Sequence, residues 1–196
     1  MNIKLKDKEL VKKFIEGDKT ALEVLITRHK ERVYTYIFFI VKNEKLAEDI
    51  FQDTFIKVIK SLQKGKYNEQ GVFVSWVIRI AHNLTIDYFR KNSRMPTYSN
   101  DQNPEFDIFN SNKFSEQTIE DKLVKKQIVA DIRNLVEELP NEQKEVILLR
   151  HFGDLSFREI AEQTNVSINT ALGRMRYALI NLRKLIEEKN LNLSIF

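Results

Sequence analysis

Three sets of polar side chains in this sequence fall at spacings that could do chemistry, and in each case the chemistry is binding. Glu48, Asp49, Gln52 and Asp53 recur at i, i+1, i+4 and i+5, which places them on one side of a helix as an acidic and amide patch. Arg79, Asn83 and Arg90 recur at i, i+4 and i+11, again one line along a helix, with His82 beside them. Asn169, Thr170, Gly173, Arg174, Tyr177 and Asn181, with Arg176 on the flank, form a third face of hydrogen-bonding groups and cations. Carboxylates and amides suit a basic partner helix. Amides and guanidinium groups suit base edges and phosphates.

Covalent catalysis finds no footing. His29, His82 and His151 lack metal-ligand spacing, there is no cysteine, and no nucleophile–base pair or glycine-rich phosphate loop is present. The expectation is a non-enzymatic chain without metal or cofactor.

The third face is the best framed. Ser156 can cap a short helix, and Glu159 three residues later completes a capping box. Ile160 and Ala161 face inward, and Thr164-Asn165-Val166 forms a turn with Asn165 at a left-handed position. Ser167 caps a second helix whose apolar positions are Ala171, Met175, Ala178, Leu182 and Leu185. This is a helix-turn-helix whose second helix shows polar and cationic groups outward, as a major-groove reader must.

The acidic patch lies on a helix that buries Ala47, Ile50, Phe51, Thr54, Phe55, Val58, Ile59 and Leu62. The Arg79 line lies on a helix from Phe73 to about Lys91 that buries Phe73, Trp76, Val77, Ile80, Ala81, Leu84 and Tyr88. Between them runs the polar loop QKGKYNEQG, whose lysines, tyrosine and amides could cup single-stranded nucleic acid. Before them, residues 7–15 read as a short amphipathic helix, and a longer one runs from Lys19 to about Val41. After them, a helix from Lys122 carries Ile128, Ile132, Leu135, Val136 and Leu139. Pro140 opens another, with Val146, Ile147 and Leu149 inside.

Five Gly and three Pro in 196 residues leave little room for tight turns, so the fold class is all-α. Residues 1–94 carry 19 Lys+Arg against 12 Asp+Glu, residues 95–124 carry 2 against 6, and residues 125–196 carry 11 against 10. The chain therefore divides into a helical module over 1–94, an acidic flexible linker over 95–121, and a helix-turn-helix module over 122–196. Phe106, Ile108, Phe109 and Phe114 make that linker more apolar than a pure spacer. The overall net charge of +4 favours a polyanionic partner. The most apolar run, Val33 to Val41, has nine residues, against the ~20 that a spanning helix needs. With no apolar leader at the N-terminus, the expectation is a cytoplasmic protein without membrane insertion.

Two blocks resemble a known family. AEDIFQDTFIKVIKSL followed by FVSWVIRIAHNLTIDYFRKNSR is similar to the core-binding and −10-reading helices of the extracytoplasmic-function (ECF, group IV) sigma factors of bacterial RNA polymerase. LPNEQKEVILLRHFGDLSFREIAEQTNVSINTALGRMRYALINLRKLI is similar to the −35-reading domain of that family. The resemblance covers nearly the whole chain in the family's order. It implies that Asp49, Gln52 and Asp53 meet the clamp helices of the polymerase largest subunit, with the flap as a further contact. It implies that Asn83 reads −10 bases, with Arg79 and Arg90 near phosphates, and that the loop bearing Lys64, Lys66, Tyr67 and Asn68 receives a flipped base. It places Ser167, Asn169, Thr170, Gly173, Arg174, Arg176 and Tyr177 at the −35 duplex, with Ser156 and Arg158 on its backbone. A separate anti-sigma factor is a partner that the family often has, and the free chain is expected to be a monomer.

The sequence departs from the family's usual pattern at Leu172, Gly173 and Tyr177, where Lys, Ser and Arg are common. Leu172 could contact a thymine methyl, and Gly173 would allow close approach to DNA. His82 also replaces a frequent Arg, which removes one positive charge at neutral pH. The other reading is a helix-turn-helix regulator with an N-terminal helical sensor or dimerisation domain. Such a protein would need neither the acidic face nor the Asn83 line.

Overall fold

The computed structural model of the chain describes residues 5–67, 72–92 and 131–191, and these divide into two compact units. The first holds α1 (Asp7–Ile15), α2 (Lys19–Val41), α3 (Glu44–Gln63) and α4 (Phe73–Asn92). The second holds a helical segment, α5, over residues 131–137, then most of α6 (Asn141–Gly153), α7 (Phe157–Thr164) and α8 (Ile168–Glu188). All regular structure among the described residues is helical. The expected linker, including Phe106, Ile108, Phe109 and Phe114, and Ile128 on the expected helix from Lys122, lie outside the described residues.

The first unit is built round α2, which packs against α1, α3 and α4. Contact on several sides explains why α2 buries Val33, Thr35, Tyr36 and Ile37 with no clean periodicity: its apolar run is interior. Local chemistry sets its ends. Asp18 accepts from the Thr20 backbone N–H at 2.9 Å, and Lys42 closes the helix in a left-handed conformation (φ 53°). Asn43 then caps α3 by accepting from Leu46 N–H at 3.0 Å. One ionic knot fixes α1 on α2. The Asp7 carboxylate meets Arg28 and also His29 Nε2 at 2.8 Å, and Arg28 donates to the Leu5 carbonyl at 2.9 Å. Burial alone would raise the Asp7 carboxyl, but His29 and then Arg28 outweigh it and hold it below the usual carboxylate range.

Leu10, Val11, Leu25, Ala47, Ile50, Phe55, Val58, Leu62, Phe73, Val77, Ile78 and Ala81 fill the core of this unit. On α3 the sequence pattern holds, with Phe51 and Ile59 only half-buried at the rim. On α4 the buried face is turned from the expected one. It runs through Val74, Ile78, His82 and Thr85, whereas Trp76, Ile80, Leu84 and Tyr88 are half-buried. The turn follows from α4 serving two neighbours, α2 and α3, rather than one.

In the second unit Leu135, Val136, Leu139, Val146, Leu148, Leu149, Leu155, Ile160, Ala161, Ala171 and Ala178 are buried. Ile147 is half-buried and Ile132 is 44% exposed, so neither joins the core as its position in the sequence pattern suggests. Lys189 reaches Glu138 at 2.7 Å and so ties the end of α8 to the chain just after α5.

Candidate nucleic-acid and protein interface

The helix-turn-helix is held by its own polar side chains. Ser156 N–H donates to Glu159 Oε2 at 2.7 Å, and Ser156 Oγ accepts from Glu159 N–H at 3.3 Å, a reciprocal cap for α7. Asn165 ends that helix at φ 54° and ψ 45°, and Val166 N–H returns to the Ala161 carbonyl at 3.0 Å. Ser167 Oγ then accepts from Thr170 N–H at 3.0 Å and opens α8. Ala161, Ala171 and Ala178 are nearly or fully buried, so α7 and α8 cross with little side-chain bulk between them. Arg150 braces the hairpin by donating to the Leu155 carbonyl at 2.8 Å and lying over the Phe157 ring.

This scaffold leaves Asn169, Thr170, Arg176 and Tyr177 exposed on α8, with Gly173 between them and open space where its Cβ would be. Arg174 and Asn181 take a different direction. Asn181 donates to Gln143 Oε1 at 2.9 Å, so it faces α6 and not the outward face on which its spacing set it. Arg174, seven residues earlier and on the same flank, is half-buried with its charge acting on Glu145 of α6. Burial pushes the Glu145 carboxyl up; Arg174 partly opposes this, and Glu142 adds to it. Ser156 and Ser167 are exposed, but their hydroxyls are already engaged in capping. Arg158 is exposed with Glu162 at 3.2 Å.

On α4, Asn83 and Arg90 are exposed and Arg79 is half-buried, so the line expected from the spacing is present on one side of the helix. Asp87 lies 3.7 Å from Arg90, in an exposed pair one turn apart. His82 is not beside that line in solvent. It is 4% exposed, with Nδ1 at 2.8 Å from the Tyr36 hydroxyl, because a phenol buried on α2 needs a polar partner and α4 supplies it. Burial lowers the His82 pKa to about 4.

In the loop after α3, Gly65 takes φ 66°, and Lys64 and Lys66 are exposed. The Tyr67 ring is half-buried, 4.8 Å from Trp76 and 5.9 Å from Phe73, centroid to centroid. It is therefore one wall of an aromatic cluster rather than a lone ring in solvent. Asn68 lies outside the described residues.

On α3, Asp49, Gln52 and Asp53 are all exposed on one side. Glu48 is exposed as well, but its charge acts on Tyr34, whose phenol is pushed up by burial first and then by Glu44 and Glu48. Within the acidic face the sequence pattern gave no notice of Ile56, which follows Gln52 by one turn and is 48% exposed. Lys57 and Lys60 lie exposed beyond it, so the face changes from acidic to basic across an apolar residue. Its only sequence signal is an isoleucine outside the i, i+3, i+4 core series.

Among the described residues no helix is long and apolar enough to cross a membrane, and no cluster of three or more His, Asp or Glu could hold a metal ion.

Comparison with known proteins accounts for both units. Residues 25–95 match the model of Sigma-70 region 2, and residues 130–177 match that of Sigma-70, region 4. The RNA polymerase sigma factor SigV of Bacillus subtilis is 31% identical over 89% of this chain and 96% of its own. The ECF RNA polymerase sigma factor SigW of Bacillus subtilis is 29% identical over 92% of this chain and 97% of its own. The sigma factor RpoE of Bartonella quintana, solved in complex with the anti-sigma factor NepR, shares the fold with a TM-score of 0.59. It is 17% identical over 85% of this chain and 96% of that one. Sigma-factor regions matched in both halves do not favour the regulator reading. The chain belongs to the RNA polymerase sigma factors of the extracytoplasmic-function type.

Proposed function

We propose that this sigma factor, of group IV, divides its work among three faces on two modules, 1–94 and 122–196, joined by the linker 95–121. Asp49, Gln52 and Asp53 on α3 dock on the clamp helices of the largest polymerase subunit, where carboxylates complement basic side chains. Asn83 reads −10 bases, Arg79 and Arg90 hold the adjacent phosphates, and Lys64, Lys66, Tyr67 and Asn68 receive a base flipped from the melted strand. On α8, Ser167, Asn169, Thr170, Gly173, Arg176 and Tyr177 face the −35 duplex and Arg174 reaches it from the flank next to α6, with Ser156 and Arg158 at the DNA backbone.

The observation that carries this reading is the placement of the exposed polar groups. Asp49, Gln52 and Asp53 share one side of α3 and Asn83 and Arg90 share one side of α4, while Asn169, Thr170, Arg176 and Tyr177 stand exposed on α8. A chain that reads two different elements needs no second copy, and we take it to act as a monomer. The complex of RpoE with NepR supports a separate anti-sigma chain as a further partner.

Asn83→Ala separates the steps. It should impair melting, read by permanganate reactivity of −10 thymines, more than closed-complex binding. Equal loss at both stages would count against its role.

A further inference from the structure

We propose that Leu172, with Ile168 one turn before it, reads thymine in the −35 element by packing on the C5-methyl group. This rests on α8 being the −35 reader. Ile168, Leu172 and Arg176 form one row along the outer side of α8 at i, i+4 and i+8. Ile168 is 46% exposed and Leu172 43%, so two branched apolar side chains stand in solvent on the first turns of the helix. Those turns are the ones a recognition helix inserts to reach base edges. The neighbouring row is Asn169, Gly173 and Tyr177. At Gly173 there is open space where a Cβ would lie, so no side chain stands between Leu172 and a groove floor on that side.

In the major groove thymine alone among the four bases presents a methyl group, and apolar side chains recognise it there. A leucine has no hydrogen bond to offer any other base edge. Arg176 and Arg183 on the same side suit phosphates, and the other exposed apolar residues of α8, Leu179 and Ile180, stand farther along the helix than the first turns that enter a groove. The occupant that satisfies both features is duplex DNA with thymine under Leu172.

Holoenzyme assembled from the full chain and bacterial core polymerase would first select its −35 duplex from a randomised pool. Each selected thymine would then be replaced singly by deoxyuridine, which removes only the methyl and leaves base pairing unchanged. At one or two adjacent thymines the replacement should weaken binding about fourfold, the effect of losing one methyl from an apolar contact. Leu172→Ala should weaken binding to the thymine duplex and largely abolish the thymine–deoxyuridine difference. Because the replacement alters only DNA, folding of a variant cannot confuse that arm.

Deoxyuridine tolerated at every thymine, or an unchanged ratio in Leu172→Ala, would overturn the inference and leave the patch to a protein partner. If a −35 sequence is still selected in that case, α8 remains the reader and only the methyl contact fails. If no −35 sequence is selected at all, both readings fall.

Discussion

Acidification from about pH 7.5 to about pH 5 sets the imidazole of His82 against the core that encloses it. In the fold its pKa is lowered to about 4 by burial, whereas an unfolded chain returns it to the ordinary histidine value near 6.5. Because the folded value is depressed, the unfolded state takes up the proton first. Stability is full above about pH 6.5, falls as the pH drops, and stops falling below about pH 4. Linkage over that interval gives a total of roughly 3 kcal/mol, of which about 2 kcal/mol is lost by pH 5. For a domain of ordinary stability that is a large fraction.

Trp76, the one tryptophan, lies on α4 at 4.8 Å from the Tyr67 ring, so its fluorescence reports unfolding of the first unit. Urea unfolding followed at Trp76 across this pH range measures the loss. Carboxylates also titrate, and the control is Tyr36→Phe with His82→Leu, which removes both partners of the buried hydrogen bond together. The difference in pH slope between wild type and this variant isolates the histidine. Equal slopes would refute the argument, because His82 would then not be held neutral by the fold.

Three further outcomes follow from particular side chains. Ile56→Ala should weaken core polymerase binding several-fold with little change in its salt dependence, whereas Asp53→Asn should flatten the salt dependence; titrations at two ionic strengths separate them. Asn165→Ala should lower the stability of the helix-turn-helix by about 1 kcal/mol, since φ is 54°, and Asn165→Gly should not; thermal denaturation followed by circular dichroism compares them. Arg174→Ala should reduce stability, because it strips the cation from half-buried Glu145, and should reduce −35 affinity by removing a cation that reaches the duplex. Adding Glu145→Gln should restore stability but not affinity, and recovery of both would make Arg174 a structural residue only.

What could be read in advance was what depends on near neighbours in sequence. Ser156 and Ser167 cap helices by bonding backbone three residues on, and so the bounds of α7 and α8 follow from short stretches. The left-handed Asn165 belongs to the same class. Residues whose surroundings come from another helix were less legible. His82 lies at the edge of a helical stripe, and the Tyr36 hydroxyl, 46 positions away, pairs with it in the interior. Asn181 and Arg174 share the spacing of an outward face, yet α6 offers Gln143 and Glu145 on that flank. Of the proposed polymerase face, Asp49, Gln52 and Asp53 are marked by charge and spacing, but Ile56 is marked only by exposure. Periodicity finds the side of a helix that is buried. It does not find an apolar residue left in solvent.

The most direct test of the account is the binding of purified chain to bacterial core RNA polymerase, wild type against Asp49→Lys with Asp53→Lys. Both carboxylates are exposed on α3, so the double variant should keep its circular dichroism and melting temperature. Wild type should join core one to one and direct new start sites on a genomic promoter library, and the variant should do neither. Unchanged binding of the variant would contradict α3 as the docking face. A wild-type chain that ignores core polymerase and footprints a palindrome as a dimer would contradict the account as a whole.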